Sequence, residues 1–178
     1  MTDPMTDLGS RKICVIGEFS VGKTSLTRRF ALRQFSETYR ATVGVNIQQC
    51  EAQIDEGQLR LVIWDLEGGI DSLEKIRTHL VGAAGALIVG DQSRLETLAA
   101  LKTYAEYFAT ERPGAPMLFA LNKADLAQGQ GGAFAAGLKD YCFVDQAKSL
   151  FETSAATGQG VDEAFAALAS AIVARQAG

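Results

Sequence analysis

Apolar and polar positions along the chain alternate in short runs of two kinds. Lys12 to Ile16 is a compact β-branched run and reads as a first strand. It enters a Gly-bounded loop, after which Lys23 to Leu32 has helical spacing. Val45 to Gln53 and Leu59 to Trp64 read as two strands around Asp55-Glu56-Gly57, a hairpin turn. A helix is expected near Ser72 to Leu80, a strand at Ala86 to Val89 between two glycines, and a helix over Leu95 to Thr110, stopped by Pro113-Gly114. Met117 to Leu121 is an apolar strand. Gly129 to Gly132 reads as a loop, Phe134 to Tyr141 as a short helix, and Ser149 to Thr153 as the last strand. Val161 to Ala174 closes as an amphipathic helix with Phe165, Leu168 and Ile172 on one face.

This alternation predicts an α/β fold. Six strands would form a mostly parallel sheet, with one antiparallel edge strand and helices on both faces. At 178 residues the chain suits one domain, expected over 11–178 behind a flexible N-terminal tail at 1–10. No internal repeat is visible.

Composition removes several function classes. The net charge of −4 and the absence of basic clusters argue against nucleic acid as a partner. Cys14, Cys50 and Cys142 are odd in number and widely spaced, fitting neither a zinc site nor a disulfide framework, so a reducing cytoplasm is expected. No run reaches the roughly 18 apolar residues of a membrane span. Neither end carries a secretory or lipidation signal, so a membrane is expected to be reached only through a partner.

The chemistry begins where the first strand ends. Gly17-Glu18-Phe19-Ser20-Val21-Gly22-Lys23-Thr24 has the Gly-x-x-x-x-Gly-Lys-Ser/Thr pattern in its required strand–loop–helix context. Glycines let the backbone wrap so that N–H groups face phosphate oxygens, and the helix N-terminus adds favourable partial charge. Lys23 reaches the terminal phosphates and the Thr24 hydroxyl suits Mg²⁺. The base is read by Asn122-Lys123-Ala124-Asp125, directly after an apolar strand. The Asp125 carboxylate can accept both the ring N–H and the exocyclic amine of guanine, a pair of donors that adenine lacks on that edge.

Over Lys12 to about Arg175 the sequence resembles the Ras superfamily of small GTPases, in particular its Rab branch. The resemblance implies a P-loop G domain that binds GTP or GDP with Mg²⁺. Thr42, 18 residues after Thr24, resembles the switch I threonine on Mg²⁺ and the γ-phosphate. Asp65-Leu66-Glu67-Gly68 is similar to the Asp-x-x-Gly of switch II. By the same resemblance Thr24, Thr42 and Asp65 form the metal set, and Lys23, Thr42 and Gly68 the hydrolytic set. Nucleotide contacts fall to Glu18 through Ser25, Phe35, Tyr39, Thr42, Gly68, Asn122, Lys123, Asp125, Ser154, Ala155 and Ala156. Within the first stretch these are Glu18, Phe19, Ser20, Val21, Gly22, Lys23, Thr24 and Ser25. Switch I (about Ser36 to Val45) and switch II (about Asp65 to Leu80) would present the state to effectors, exchange factors and activating proteins.

Four positions depart from the family. Gly69 stands where a Gln usually orients the attacking water, Phe19 where a small residue is usual, Glu67 in place of Ala, and Ala156 in place of Lys. The first three leave the binding machinery intact and alter the hydrolytic part, so slow intrinsic hydrolysis is expected. The rival expectation is an adaptor that holds nucleotide without turnover. A P-loop kinase using ATP is disfavoured by Asp125 and by the lack of a recognisable lid. His79 and Trp64 read as packing residues rather than catalytic ones.

Overall fold

The computed structural model describes residues 6–32, 37–42 (backbone only), 44–127 and 150–177. The central strand β1 (Asp7–Gly17) leads into helix α1 (Lys23–Ala31). Then come β2 (Glu37–Thr42), β3 (Val45–Ile54) and β4 (Gly57–Leu66), followed by a 3-10 turn at Ile70–Ser72 and α2 (Leu73–Leu80). Next are β5 (Gly85–Asp91), α3 (Leu95–Ala99), α4 (Leu101–Glu111), β6 (Met117–Asn122), β7 (Leu150–Glu152) and α5 (Val161–Ala177).

The strands order as β2-β3-β4-β1-β5-β6-β7 in one sheet. Pairings from β4 to β7 are parallel, and β3 runs antiparallel to β4 through the expected hairpin. The six expected strands are all present. A seventh, β2, pairs antiparallel outside β3, so β3 is not the edge. Its residues read as switch I in the sequence, and their polar pattern Glu-Thr-Tyr-Arg-Ala-Thr carries no strand signal. A further correction concerns the N-terminus. Residues Asp7 to Ser10 belong to β1 and not to a loose tail, because Asp7 and Ser10 pair with Gln58 and Arg60 of β4. Ladder hydrogen bonds hold that stretch, and Leu8 packs against the core. The helix expected over Leu95 to Thr110 is two helices broken at Ala100, and Leu98 and Leu101 on either side of the break both lie against Gly90.

Successive β1 residues face opposite sides of the sheet. Ile13 and Val15 join a core under α1 and α5, with Leu26, Phe30, Phe165 and Leu168. Cys14 and Ile16 join a second core under α2 and α4, with Leu80, Tyr104 and Phe108. Strands buried on both faces explain the continuous apolar runs. Phe30 and Phe165 stack at 4.4 Å between centroids, tying α1 to α5. Phe165→Leu is expected to lower the unfolding free energy by about 1–2 kcal/mol, losing ring contact but little volume; chemical denaturation measures it, and an unchanged midpoint would contradict it. The chain leaves β1 toward β4 on one side and reaches β5 on the other. The carboxyl end of β1 is therefore a topological switch point, where open α/β sheets hold ligands. Among the described residues no helix is long and apolar enough to cross a membrane.

Candidate functional site

At that switch point lies a cleft of about 520 Å³, lined by Phe19, Lys23, Thr24, Asp65, Gly68 and Lys123 among others. Its floor is the loop between β1 and α1. Ser20 (φ 57°) and Gly22 (φ 97°) both take left-handed backbone conformations, and turns of this kind aim N–H groups into one concavity. Gly22 has no alternative, since a Cβ there would collide with the Asn122 amide. It also serves as the N-cap of α1 with no side-chain cap, which leaves the helix N-terminus open to an anion.

The Lys23 side chain folds into the cradle and is 7% exposed. Its ammonium donates to Gly17 O at 3.0 Å and Glu18 O at 2.6 Å. Burial pushes its pKa down to about 8, against the upward pull of Asp65 and Glu18. The Thr24 hydroxyl donates to Asp65 Oδ2. Asp65, 3% exposed at the end of β4, is raised from the ordinary carboxylate value by burial, opposed by the Thr24 hydrogen bond and by Lys23. A hydroxyl and a carboxylate in contact in one cleft are hard oxygen donors that suit Mg²⁺. Among the described residues no three His, Cys, Asp or Glu side chains converge on a metal.

Switch II begins pressed against the loop. A Cβ on Gly68 would lie 2.6 Å from Glu18 O and 2.7 Å from the Lys23 ammonium, and one on Gly69 (φ 107°) would collide with the Phe19 ring. Glu67 is exposed, and its backbone N–H donates to Gly44 O at 2.9 Å.

The second half of the site grows from the ends of β6 and β7. Asn122, 1% exposed, donates to Val21 O at 2.9 Å. Its Oδ1 accepts from the Thr153 hydroxyl at 3.2 Å and Ala155 N–H at 3.3 Å. Lys123 (φ 62°) donates to Ser20 O at 2.9 Å. The Ser154 hydroxyl donates to Asp125 Oδ1 at 2.6 Å, which orients the exposed carboxylate. Ala155 and Ala156 follow in the same turn.

The geometry thus brings together the phosphate loop, Asp65, Gly68, Asn122 and Lys123, with Asp125, Ser154 and Ala155 beside them. Phe35 and the side chains of Tyr39 and Thr42 lie outside the described residues, as do the expected loop at 129–132, the helix at 134–141 and Cys142. Three contributors escaped sequence reasoning. Asp91, buried at the end of β5, pairs with Lys123 at 2.7 Å and Arg94 at 3.2 Å. Burial raises its carboxyl, but the hydrogen bonds from Lys123 and Ser93 prevail and hold it below the ordinary range. Arg94 donates to Phe19 O at 2.5 Å. Tyr104, from α4, bonds to both Gly69 and Glu18. Of these, a carboxylate closing the all-buried β5 was the one visible signal. Trp64 and His79 are packing residues as expected, their rings 5.9 Å apart with the Lys12 ammonium 3.7 Å over the Trp64 ring.

Comparison with known proteins agrees with this geometry. The Ras family profile matches residues 12–174. The chain is 31% identical to Ras-related protein Rab7 of Glycine max over 171 residues, covering 93% of this chain and 83% of the relative. It is 32% identical to Ras-related protein Rab-1C of Dictyostelium discoideum over 165 residues, 90% of this chain and 80% of that protein. Ras-related protein RABG3c of Arabidopsis thaliana is also 32% identical, over 164 residues, 89% of this chain and 80% of that protein. With a phosphate loop at the switch point of the sheet and a family match over nearly its whole length, the chain belongs to the Ras family of small GTP-binding switch proteins and is Rab-like.

Proposed function

We propose that this chain is a Mg²⁺-dependent GTP/GDP switch whose own hydrolysis is slow, a partner protein completing the reaction. The observation carrying the proposal is at Gly69. Its φ of 107° disfavours any side chain, and the Phe19 ring fills the space that a side chain would enter. No group at this position can orient an attacking water.

The remaining machinery supports binding and charge stabilisation. The loop from Glu18 to Ser25 would hold the phosphates, with Phe35 and Tyr39 closing over the nucleotide. Asp125, aided by Asn122, Lys123, Ser154, Ala155 and Ala156, would read guanine. Lys23, Thr42 and the Gly68 N–H would stabilise the transferring phosphoryl group. Thr24, Thr42 and Asp65 would hold Mg²⁺, which neutralises charge on phosphate oxygens when bound. Effectors and regulators would read switch I and switch II. The acidic balance of −4 supports proteins over nucleic acids as partners, and the wide spacing of the cysteines supports a cytoplasmic switch.

Single-turnover hydrolysis tests the proposal. Protein loaded with GTP and started with Mg²⁺ is expected to release GDP slowly, over hours. Gly69→Gln is expected to change that rate by less than about threefold, because a Gln cannot reach its position past Phe19. A hundredfold acceleration would overturn the crowding explanation. The same missing side chain favours a second reading, an adaptor that holds GTP without turnover; GTP persisting with no GDP formed, even with Mg²⁺, would support it.

A further inference from the structure

Gly68 and Gly69 open switch II with two residues that have no side chain to anchor them. Fixing such a pair costs more backbone entropy than any other dipeptide. A side chain from outside the switch holds it. The Gly69 N–H donates to the Tyr104 hydroxyl at 3.0 Å, and that bond is buried. The same hydroxyl donates to Glu18 Oε1 at 3.1 Å. Tyr104 itself is 1% exposed, its ring seated in the core beneath α4 with Leu80, Leu101 and Phe108. It is thus a fixed post and not a floating contact.

The polarity of this chain of bonds is set. A carboxylate can only accept, so the phenol proton is committed to Glu18, and the oxygen lone pairs are left for Gly69. A donor committed to an anion makes its own oxygen a better acceptor. Burial, then the Glu18 carboxylate, push the phenol well above its ordinary pKa, so the proton stays in place across the physiological range.

The two ends of the relay are the phosphate loop and the start of switch II. Glu18 lies in the loop, and its carbonyl accepts from Lys23 at 2.6 Å. Gly68 packs so closely on Glu18 and Lys23 that a Cβ would be 2.6 to 2.7 Å from both. Orienting the Gly69 peptide therefore orients the Gly68 peptide beside the Lys23 ammonium. That is where a terminal phosphate would sit in the proposed function, and no β-phosphate needs the Gly68 contact.

We infer that Tyr104 is a positioning residue: its hydroxyl, locked by Glu18, presets the Gly68–Gly69 backbone for a nucleoside triphosphate over a diphosphate. The inference deepens the switch reading and rests on it. In this chain α4 adds its own hold on the start of switch II, beside any contact that a γ-phosphate makes there.

The test compares affinities of the full chain, with Mg²⁺, for GDP and for a GTP analogue carrying an imide at the β–γ bridge. Displacement of a fluorescent GDP reports both. Tyr104→Phe keeps the ring and removes the hydroxyl. It is expected to weaken the analogue about tenfold and GDP less than twofold. Tyr107→Phe on the same helix removes a hydroxyl that has no hydrogen-bond partner among the described residues, and is expected to leave both affinities alone. Glu18→Ala is expected to shift the analogue in the same direction as Tyr104→Phe, and the double variant to be less than additive; it also decides the matter if Tyr104→Phe does not fold. A merely structural role for Tyr104 would weaken both nucleotides equally. Equal losses, or no loss, would overturn the positioning role while leaving the switch intact. No binding of either nucleotide by the unaltered protein would overturn the switch reading and this inference together.

Discussion

Replacing Lys23 with Ala is expected to lower single-turnover GTP hydrolysis by about 10²–10³-fold, the usual cost of removing one preorganised charge donor from a phosphoryl-transfer site. Lys23 is 7% exposed, its ammonium held by Gly17 O and Glu18 O inside the cradle. Lys23→Arg is expected not to rescue the rate, because a planar guanidinium fork does not replace a compact ammonium point charge. Chromatographic measurement of GDP formed from preloaded protein checks both variants. Hydrolysis within threefold of the unaltered protein for Lys23→Ala would show that the charge lies outside the reaction.

The second large effect is on base choice. Asp125→Asn is expected to weaken GTP by about 10⁴-fold, since a site built to accept two donors would face one of them with a donor of its own. The Ser154 hydroxyl already occupies Asp125 Oδ1 at 2.6 Å. An Asn keeping that bond through Oδ1 turns its amide N–H groups outward. Xanthine carries a carbonyl where guanine carries its exocyclic amine, so affinity for XTP is expected to rise as that for GTP falls. Competition between the two nucleotides reads the exchange directly. Retained preference for GTP would remove Asp125 from base recognition.

Both effects fall on residues that are legible in the sequence, and for a common reason. The glycines and Lys23 of the phosphate loop, and the Asn-Lys-x-Asp run, do their work within a few residues of a strand end. Local order therefore carries most of their geometry. The sheet was equally legible, because β1, β5 and β6 are buried on both faces and show it as unbroken apolar runs. What stayed hidden was set by pairing or by distance. Asp7 to Ser10 hold one apolar residue, Leu8, and it is the ladder to β4 that makes them strand. β2 likewise exists by pairing with β3. The Tyr104–Glu18–Gly69 relay joins residues from α4, the loop and switch II, up to 86 positions apart, with no motif to announce it. Asp91 acts through Lys123 and Arg94, so its meaning appears only once those partners stand beside it.

One side chain has a consequence for how fast this molecule can work. Asn122 spans from Val21 in the phosphate loop to Thr153 and Ala155 in the last loop. Gly22 is open to let its amide pass. With Lys123, which donates to Ser20 O, this buried amide ties the surfaces for phosphate and for base into one body. Residence time is governed by whatever pries that body apart. An exchange catalyst would gain most leverage by displacing the phosphate loop from Asn122, which releases both halves of the ligand at once.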